Sequence, residues 1–227
     1  MKELIERKRV TIQNKGLIYP LMLTGPVDDP ITLTMDKIKE LYWKMVEYDA
    51  GDPFRIQHFV KVHSFAALIG KEEKLDDKTQ EILECAALVH DIGIRPAEEK
   101  YGKCSGKLQE QEGPAEAEKM LESLGFGTDV IERVSWLVGH HHTYHAIEGA
   151  DYQILVEADF LVNYLEENMS EEQIKKSAEK IFQTETGKRL VKTMFYPDKK
   201  PLSETWAQDA LQDLEDFIEE QGIYIRQ

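Results

Sequence analysis

The chain has 227 residues, enough for one good-sized hydrophobic core, and its composition (41% hydrophobic, 31% charged) is that of a globular protein. A formal charge of −15 argues against a broad nucleic-acid surface and against binding to an anionic membrane, since both need a basic face. It leaves room for a small phosphorylated ligand, because a metal and a few local cations reverse the potential inside one cleft.

Residues 1–33 carry Gly16, Pro20, Gly25, Pro26 and Pro30 and read as an irregular arm, with a short strand at most over Leu17–Leu23. The start MKELIERKRV is basic but has no apolar run behind it, and Leu17–Leu23 is too short to span a bilayer. Cys85 and Cys104 form no CxxC pair, so a soluble protein of the reducing cytoplasm is expected. From Asp36 a helical period begins, with Ile38, Leu41, Tyr42, Met45 and Val46 on one face, and Ala50-Gly51-Asp52-Pro53 ends it. The next helix, Phe54–Gly70, has His58, Val62, Phe65, Ala66 and Ile69 on its apolar stripe, while His63 lies off it and reads as an ordinary histidine. A third helix runs from about Asp77 to Gly93 and is nearly apolar in its second half until it meets His90-Asp91.

Residues 94–112 are polar and are expected to form a long loop, rich in the cations Arg95, Lys100, Lys103 and Lys107. Gly113-Pro114 should open a helix buried through Ala117, Met120, Leu121 and Leu124 and stopped by Gly125. Thr128 is placed to cap the following helix, whose stripe Ile131, Val134, Leu137 and Val138 continues into His141. Four of the seven histidines then cluster between His140 and His145. Tyr152–Leu165 is apolar nearly all round, the mark of a central helix, with Glu157 and Asp159 as its only charges from Ile154 onward. Ser170 and Gln173 form a capping box, a short segment covers Gly187–Phe195, and a last helix begins at Pro201 with Ala207, Ala210, Leu211, Leu214, Phe217 and Ile218 on one face. The expected architecture is a single all-α domain, with the arm at 1–33, a core at 36–168 and C-terminal helices at 170–227.

A charged Asp91 at the end of an apolar helix is costly without a partner. A divalent cation held by the adjacent imidazole and carboxylate supplies one. His58 and Asp159 are also metal-capable residues in apolar surroundings, on two further predicted helices. Helices that each project a ligand inward are how metal sites are built in bundles. Singly, each of these residues also reads as a hydrogen-bonded core group or a cap. Their joint occurrence favours a metal. The order His58 … His90-Asp91 … Asp159, in the words R-I-Q-H-F-V-K-V, A-A-L-V-H-D-I-G and I-L-V-E-A-D-F-L, resembles the HD-domain superfamily of metal-dependent phosphohydrolases. The resemblance covers roughly residues 48–165.

That resemblance implies an HD-type helical core holding one or two divalent ions on His58, His90, Asp91 and Asp159, and attack of a metal-bound water on a phosphate ester. Asp91 would serve as ligand, as bridge where two ions bind, and as the group orienting the attacking water. His140-His141 falls where two-metal members carry a His-His pair, but Gln109 stands where those members have a further histidine. One ion is therefore expected rather than two. His140 and His141 are then assigned to a second metal or to substrate phosphate, with His140 as catalytic acid toward the leaving oxygen. His142 and His145 are expected at the surface or in supporting roles. Lys103 and Lys107, beside Gly102 and Gly106, are the candidate substrate-binding cations. Nitrogen and oxygen ligands suit manganese, iron, nickel, cobalt, zinc or magnesium. The chain lacks the Gly-Tyr-Pro word of the cyclic-dinucleotide branch, has Ile94-Arg95 where the stringent-response branch has a Glu-Asp pair, and has Glu98 and Glu99 as the nearest glutamates after the doublet, where the 5′-nucleotidase branch keeps one close behind it. The expected partner is a nucleotide or other small phosphate ester, with no nucleic-acid polymer and no membrane; the oligomeric state is left open. Two alternatives stand beside this reading: an HD-type di-iron oxygenase and a non-catalytic metal- or nucleotide-binding module.

Overall fold

Apolar residues at helical spacing recur from Ile38 onward, and among the described residues the chain uses them as helices. The computed structural model describes residues 30–197 together with Gln212 and Asp216. Among these residues there are nine helices and no strand: α1 (Pro30–Tyr48), α2 (Pro53–Glu72), α3 (Asp77–Val89), α4 (Ile94–Tyr101), α5 (Gly106–Ser123), α6 (Thr128–Val138), α7 (Ala150–Glu166), α8 (Glu171–Ile181) and α9 (Glu185–Phe195). The all-α expectation holds. No helix among the described residues is long and apolar enough to cross a membrane.

Short polar residues start the helices that matter most. Asp52 accepts from Arg55 N at 3.1 Å, with Pro53 as the first helical residue of α2. Asp76 accepts from Lys78 N and Thr79 N at 3.1 and 3.0 Å ahead of α3. The Ser170–Gln173 capping box is formed, and Thr184 accepts from Gly187 N at the start of α9. α7 is the central helix: Tyr152, Ile154, Leu155, Val156, Ala158, Leu161, Val162 and Tyr164 are all buried. α2 and α3 pack on each other and on α7, α6 packs on α3 and α5, and α4 packs on α5.

The long polar loop expected over 94–112 is not there. Residues 94–101 form α4, which ends on Gly102 in the left-handed region (φ 65°), and α5 begins at Gly106. Pro114, read as a helix start, lies inside α5. The reason is tertiary: Gly113 lets α5 approach α6 so closely that a Cβ there would stand 2.6 Å from Val138 Cγ1, and Pro114 packs against Gly139. Thr128 is the first helical residue of α6, and the cap position belongs to Gly127. α1 begins at Pro30, so the expected arm boundary at residue 33 falls inside a helix. The rest of that arm, and the last helix expected from Pro201 apart from Gln212 and Asp216, lie outside the described residues.

Candidate metal centre

Three helices converge on one point. His58 sits in the second turn of α2, His90 caps the C-terminus of α3 with Asp91 in the turn that follows, and Asp159 lies midway along α7. His58 Nε2 is 3.2 Å from Asp159 Oδ1 and 3.3 Å from His90 Nε2. His90 Nε2 is 3.6 Å from Asp159 Oδ1, and Asp91 Oδ2 is 3.5 Å from both imidazole Nε2 atoms. Atoms bound at about 2.0–2.2 Å to one ion stand about 3–3.5 Å from each other. The observed separations are those of ligands around a common cation.

The hydrogen bonds on the far side of each ring support this. His90 Nδ1 is 3.0 Å from the Ala87 carbonyl and His141 Nδ1 is 2.8 Å from the Val138 carbonyl. A carbonyl only accepts, so both rings carry their proton on Nδ1. His58 Nδ1 is 2.7 Å from Glu166 Oε2, a carboxylate that also pairs with Lys61. In the neutral rings the Nε2 lone pairs therefore point into the cluster, toward carboxylate oxygens and toward each other. Such a set of acceptors is suited to a cation at its centre. His141 Nε2 is buried with no hydrogen-bond partner, and it lies 3.4 Å from Asp91 Oδ1.

A second group is built on the other side of Asp91. One ligand atom from each of Asp91, His141 and His142 lies within 4.8 Å of the others. Asp91 faces both groups, with Oδ2 toward His58 and His90 and Oδ1 toward His141. The turn carrying His142 is held from α5: Glu110 accepts from His142 N at 3.0 Å and from Thr143 Oγ1 at 2.9 Å. Gln109 Oε1 is 3.0 Å from His142 Nε2, and the Tyr144 hydroxyl is 3.0 Å from His142 Nδ1. On the first group, Asn163 Nδ2 donates to Asp159 Oδ1 at 2.9 Å.

The electrostatics are those of a negative pocket that holds positive charge. Burial would lower the His58 pKa, but the Asp159 hydrogen bond and the Asp91 and Asp159 charges outweigh it and push it up to about 9. His90 is raised against burial by Asp91 and Asp159. Asp91 and Asp159 are pressed upward by burial, yet their histidine neighbours hold both well below the usual carboxylate range. Without a metal the rings take up protons; a cation displaces them, so binding releases protons. His142 differs: burial, then the neighbouring His141, lower it to about 4.

Of the residues singled out in the sequence, His58, His90, Asp91 and Asp159 are brought together, and His141 joins Asp91. His140 enters neither group. Its ring stacks on Trp136 at 4.1 Å, with Nδ1 2.6 Å from the Trp136 carbonyl, because a side chain at that position continues the outer face of α6. His142, expected at the surface or in a supporting role, instead joins Asp91 and His141, the place expected of His140. Lys103 and Lys107 are exposed and make no ion pair with a described residue. They flank the start of α5, where Gly106 lies against the His142 ring at a distance that leaves 2.7 Å for a Cβ. His63 pairs with Glu84 at 3.3 Å, away from the cluster, and His145 is exposed. Glu157, the other charge of α7, accepts from Gln183 N and Thr184 N at 2.6 and 2.9 Å and anchors the start of α9. Sequence reasoning missed Asn163 and Glu166. Both follow Asp159 at helical spacing, which was the available signal.

The fold resembles that of Bacillus subtilis YpgQ (15% identity, 83% of this chain and 95% of that one, TM-score 0.51). A predicted HD superfamily hydrolase from an uncultured Thermotogales bacterium also aligns (23% identity, 84% and 92% coverage, TM-score 0.47). No curated protein gave a significant match. The family model described as HD domain matches residues 55–183, more than half of the chain and a span that includes both metal-capable groups. The doublet His90-Asp91, with the metal-capable residues that the helices bring to it, is thus accounted for by descent as well as by geometry, and the chain belongs to the HD-domain superfamily.

Proposed function

We propose that the protein is a metal-dependent phosphohydrolase acting on a nucleotide or another small phosphate ester. The observation that carries the reading is the inward-facing acceptor set: Nε2 of His58, His90 and His141 with Asp91 and Asp159, each ring fixed from behind through Nδ1. His58, His90, Asp91 and Asp159 would hold one divalent ion. Asp91, His141 and His142 would hold a second, with Asp91 as the shared ligand. The expectation of a single ion rested on Gln109, and His142 now stands beside that amide. A bound divalent ion lowers the pKa of its water and neutralises charge on phosphoryl oxygens.

The chain's own side chains supply the rest. Lys103 and Lys107, exposed, paired with no described residue and flanking the Gly106 that lies against His142, are assigned to substrate phosphate. Tyr144 is 39% exposed; its partial burial, with Asp159, raises its pKa, so it keeps its proton and donates it to His142 Nδ1, Gln109 Oε1 taking the proton of Nε2. His140, stacked on Trp136 and bonded to its carbonyl, enters neither metal-capable group. A panel of nucleotides and simple phosphate esters, assayed with manganese, nickel, cobalt or magnesium, tests the reading. Turnover with wild type and at least a hundredfold loss in Asp91→Ala is expected. A metal-loaded protein that hydrolyses none of them would end it.

One observation favours a second reading. The second group has three candidate ligands, so the di-iron oxygenase alternative regains its ligand set. Metal analysis after aerobic and anaerobic purification separates the two: two irons per chain with substrate-dependent oxygen uptake would select the oxygenase.

A further inference from the structure

We infer that Glu166 is a positioning residue for the metal centre, acting through His58. The inference rests on the proposal that His58 is a metal ligand. α7 places Asp159, Asn163 and Glu166 at i, i+4 and i+7, on the face that packs against α2. Seven residues are two helical turns, about 10.5 Å. The His58 imidazole fills that interval: Nε2 stands 3.2 Å from Asp159 Oδ1 and Nδ1 2.7 Å from Glu166 Oε2. One helix face thus grips both nitrogens of a ring that belongs to another helix.

Two features say that Glu166 is there for the ring. It is the last residue of α7, where a carboxylate opposes the helix dipole, and no basic residue occupies that turn. Its side chain is only 9% exposed, so the charge is kept from water and depends on His58 and Lys61 for partners. The contrast with the other rings is informative. His90 and His141 are oriented by main-chain carbonyls, which no substitution removes. Only His58, of these three, has its tautomer and ring angle set by a side chain. A carboxylate behind a ligating imidazole raises its basicity, and losing such a partner weakens metal binding about 10–100-fold.

The test compares wild type with Glu166→Ala, Glu166→Gln and Lys61→Met in cobalt(II) titrations followed by calorimetry and the visible spectrum. The tautomer of His58 is read by nitrogen NMR of the zinc-loaded proteins. Expected results are a Kd raised 10–100-fold in Glu166→Ala with an altered cobalt spectrum, partial recovery in Glu166→Gln, whose amide oxygen still accepts from Nδ1–H, and a Kd within a few-fold of wild type in Lys61→Met. An ion pair that merely closes the end of α7 predicts something else: equal losses of melting temperature in Glu166→Ala and Lys61→Met, and no change in Kd or spectrum. That outcome overturns the inference. If Glu166→Ala does not fold, a Glu166→Gln protein with wild-type Kd and spectrum overturns it. A wild-type protein that binds no cobalt(II) fails earlier, and takes the metal-centre reading down with it.

Discussion

Replacing Gly93 by alanine should strain the junction that sets α5 against the doublet. Gly93 has φ −72°, an ordinary value, so backbone freedom is not what it supplies. It supplies space. A Cβ there would stand 2.4 Å from the Gln109 carbonyl oxygen, 2.8 Å from Gly113 N and 3.0 Å from Gln109 Cα. All three are backbone atoms of α5, so no side chain can swing aside. Restoring a carbon–oxygen contact of about 3.3 Å requires α5 to retreat by roughly 0.9 Å. Overpacking of this kind costs about 1–3 kcal/mol. For a chain of this size each kcal/mol moves the melting temperature about 2–4 °C, so a fall of roughly 2–12 °C is expected. The retreat also draws Gln109 and Glu110 away from His142, and displacements near 1 Å in a catalytic constellation cost up to about a hundredfold in rate. Thermal unfolding with chelator present isolates the packing effect from metal linkage, and phosphate-ester turnover reads the displacement. A Gly93→Ala protein that melts within 1 °C of wild type and keeps its activity would refute the argument that this glycine sets the spacing.

Gly106→Ala should separate the two effects, since its Cβ meets the His142 ring at 2.7 Å and not backbone; metal binding at the second group should weaken, while the chelated protein melts within about 2 °C of wild type. Glu157→Ala leaves Gln183 N and Thr184 N without their acceptor, at about 1–3 kcal/mol each, so denaturant titration should show a loss of about 2–6 kcal/mol with cobalt affinity intact. Burial pushes the Asp49 carboxyl up to about 6, Arg55 opposing and Asp52 and Asp91 adding to it. The folded state therefore holds this proton more tightly than the unfolded chain, and the contribution present below pH 4 is lost as pH rises through 6. Asp49→Asn should remove that slope, by no more than about 1 kcal/mol because the group is half exposed, and unchanged melting-temperature profiles from pH 4 to 7 would show the reasoning to be wrong. Metal at a hundred times its Kd should add about 2.7 kcal/mol to wild-type stability, with proton release measurable in a weakly buffered titration; Asp91→Ala should show neither.

Much of this molecule was legible before it folded. The stripes Val62–Ala66–Ile69 and Val134–Leu137–Val138, and the all-round apolar run of α7, placed their helices because burying apolar faces dominates folding wherever the period is strong. His58, His90, Asp91 and Asp159 stood out because a metal-capable group inside an apolar face is costly unless something pairs with it. The polar helices were not legible. α4 and the first half of α5 carry little apolar periodicity, Ala97 being the buried residue of α4, and Gly113-Pro114 read as the start of a helix. These helices form because Gly93 and Gly113 let backbones meet and Gly102 supplies a left-handed stop, which are facts about neighbours, not about local preference. The same holds within the site. Nothing in His140-His141-His142 says which ring turns inward. The C-terminal turn of α6 decides that, by stacking His140 on Trp136 and handing the carbonyl of Val138 to His141, while Glu110 on α5 pins His142. The sequence by itself therefore determined which residue types could meet a cation. Tertiary structure decided which ring nitrogens meet: the turns ending α3 and α6 orient His90 and His141 through carbonyls three residues back, while His58 and His142 are set by Glu166 and Gln109, far away in the chain.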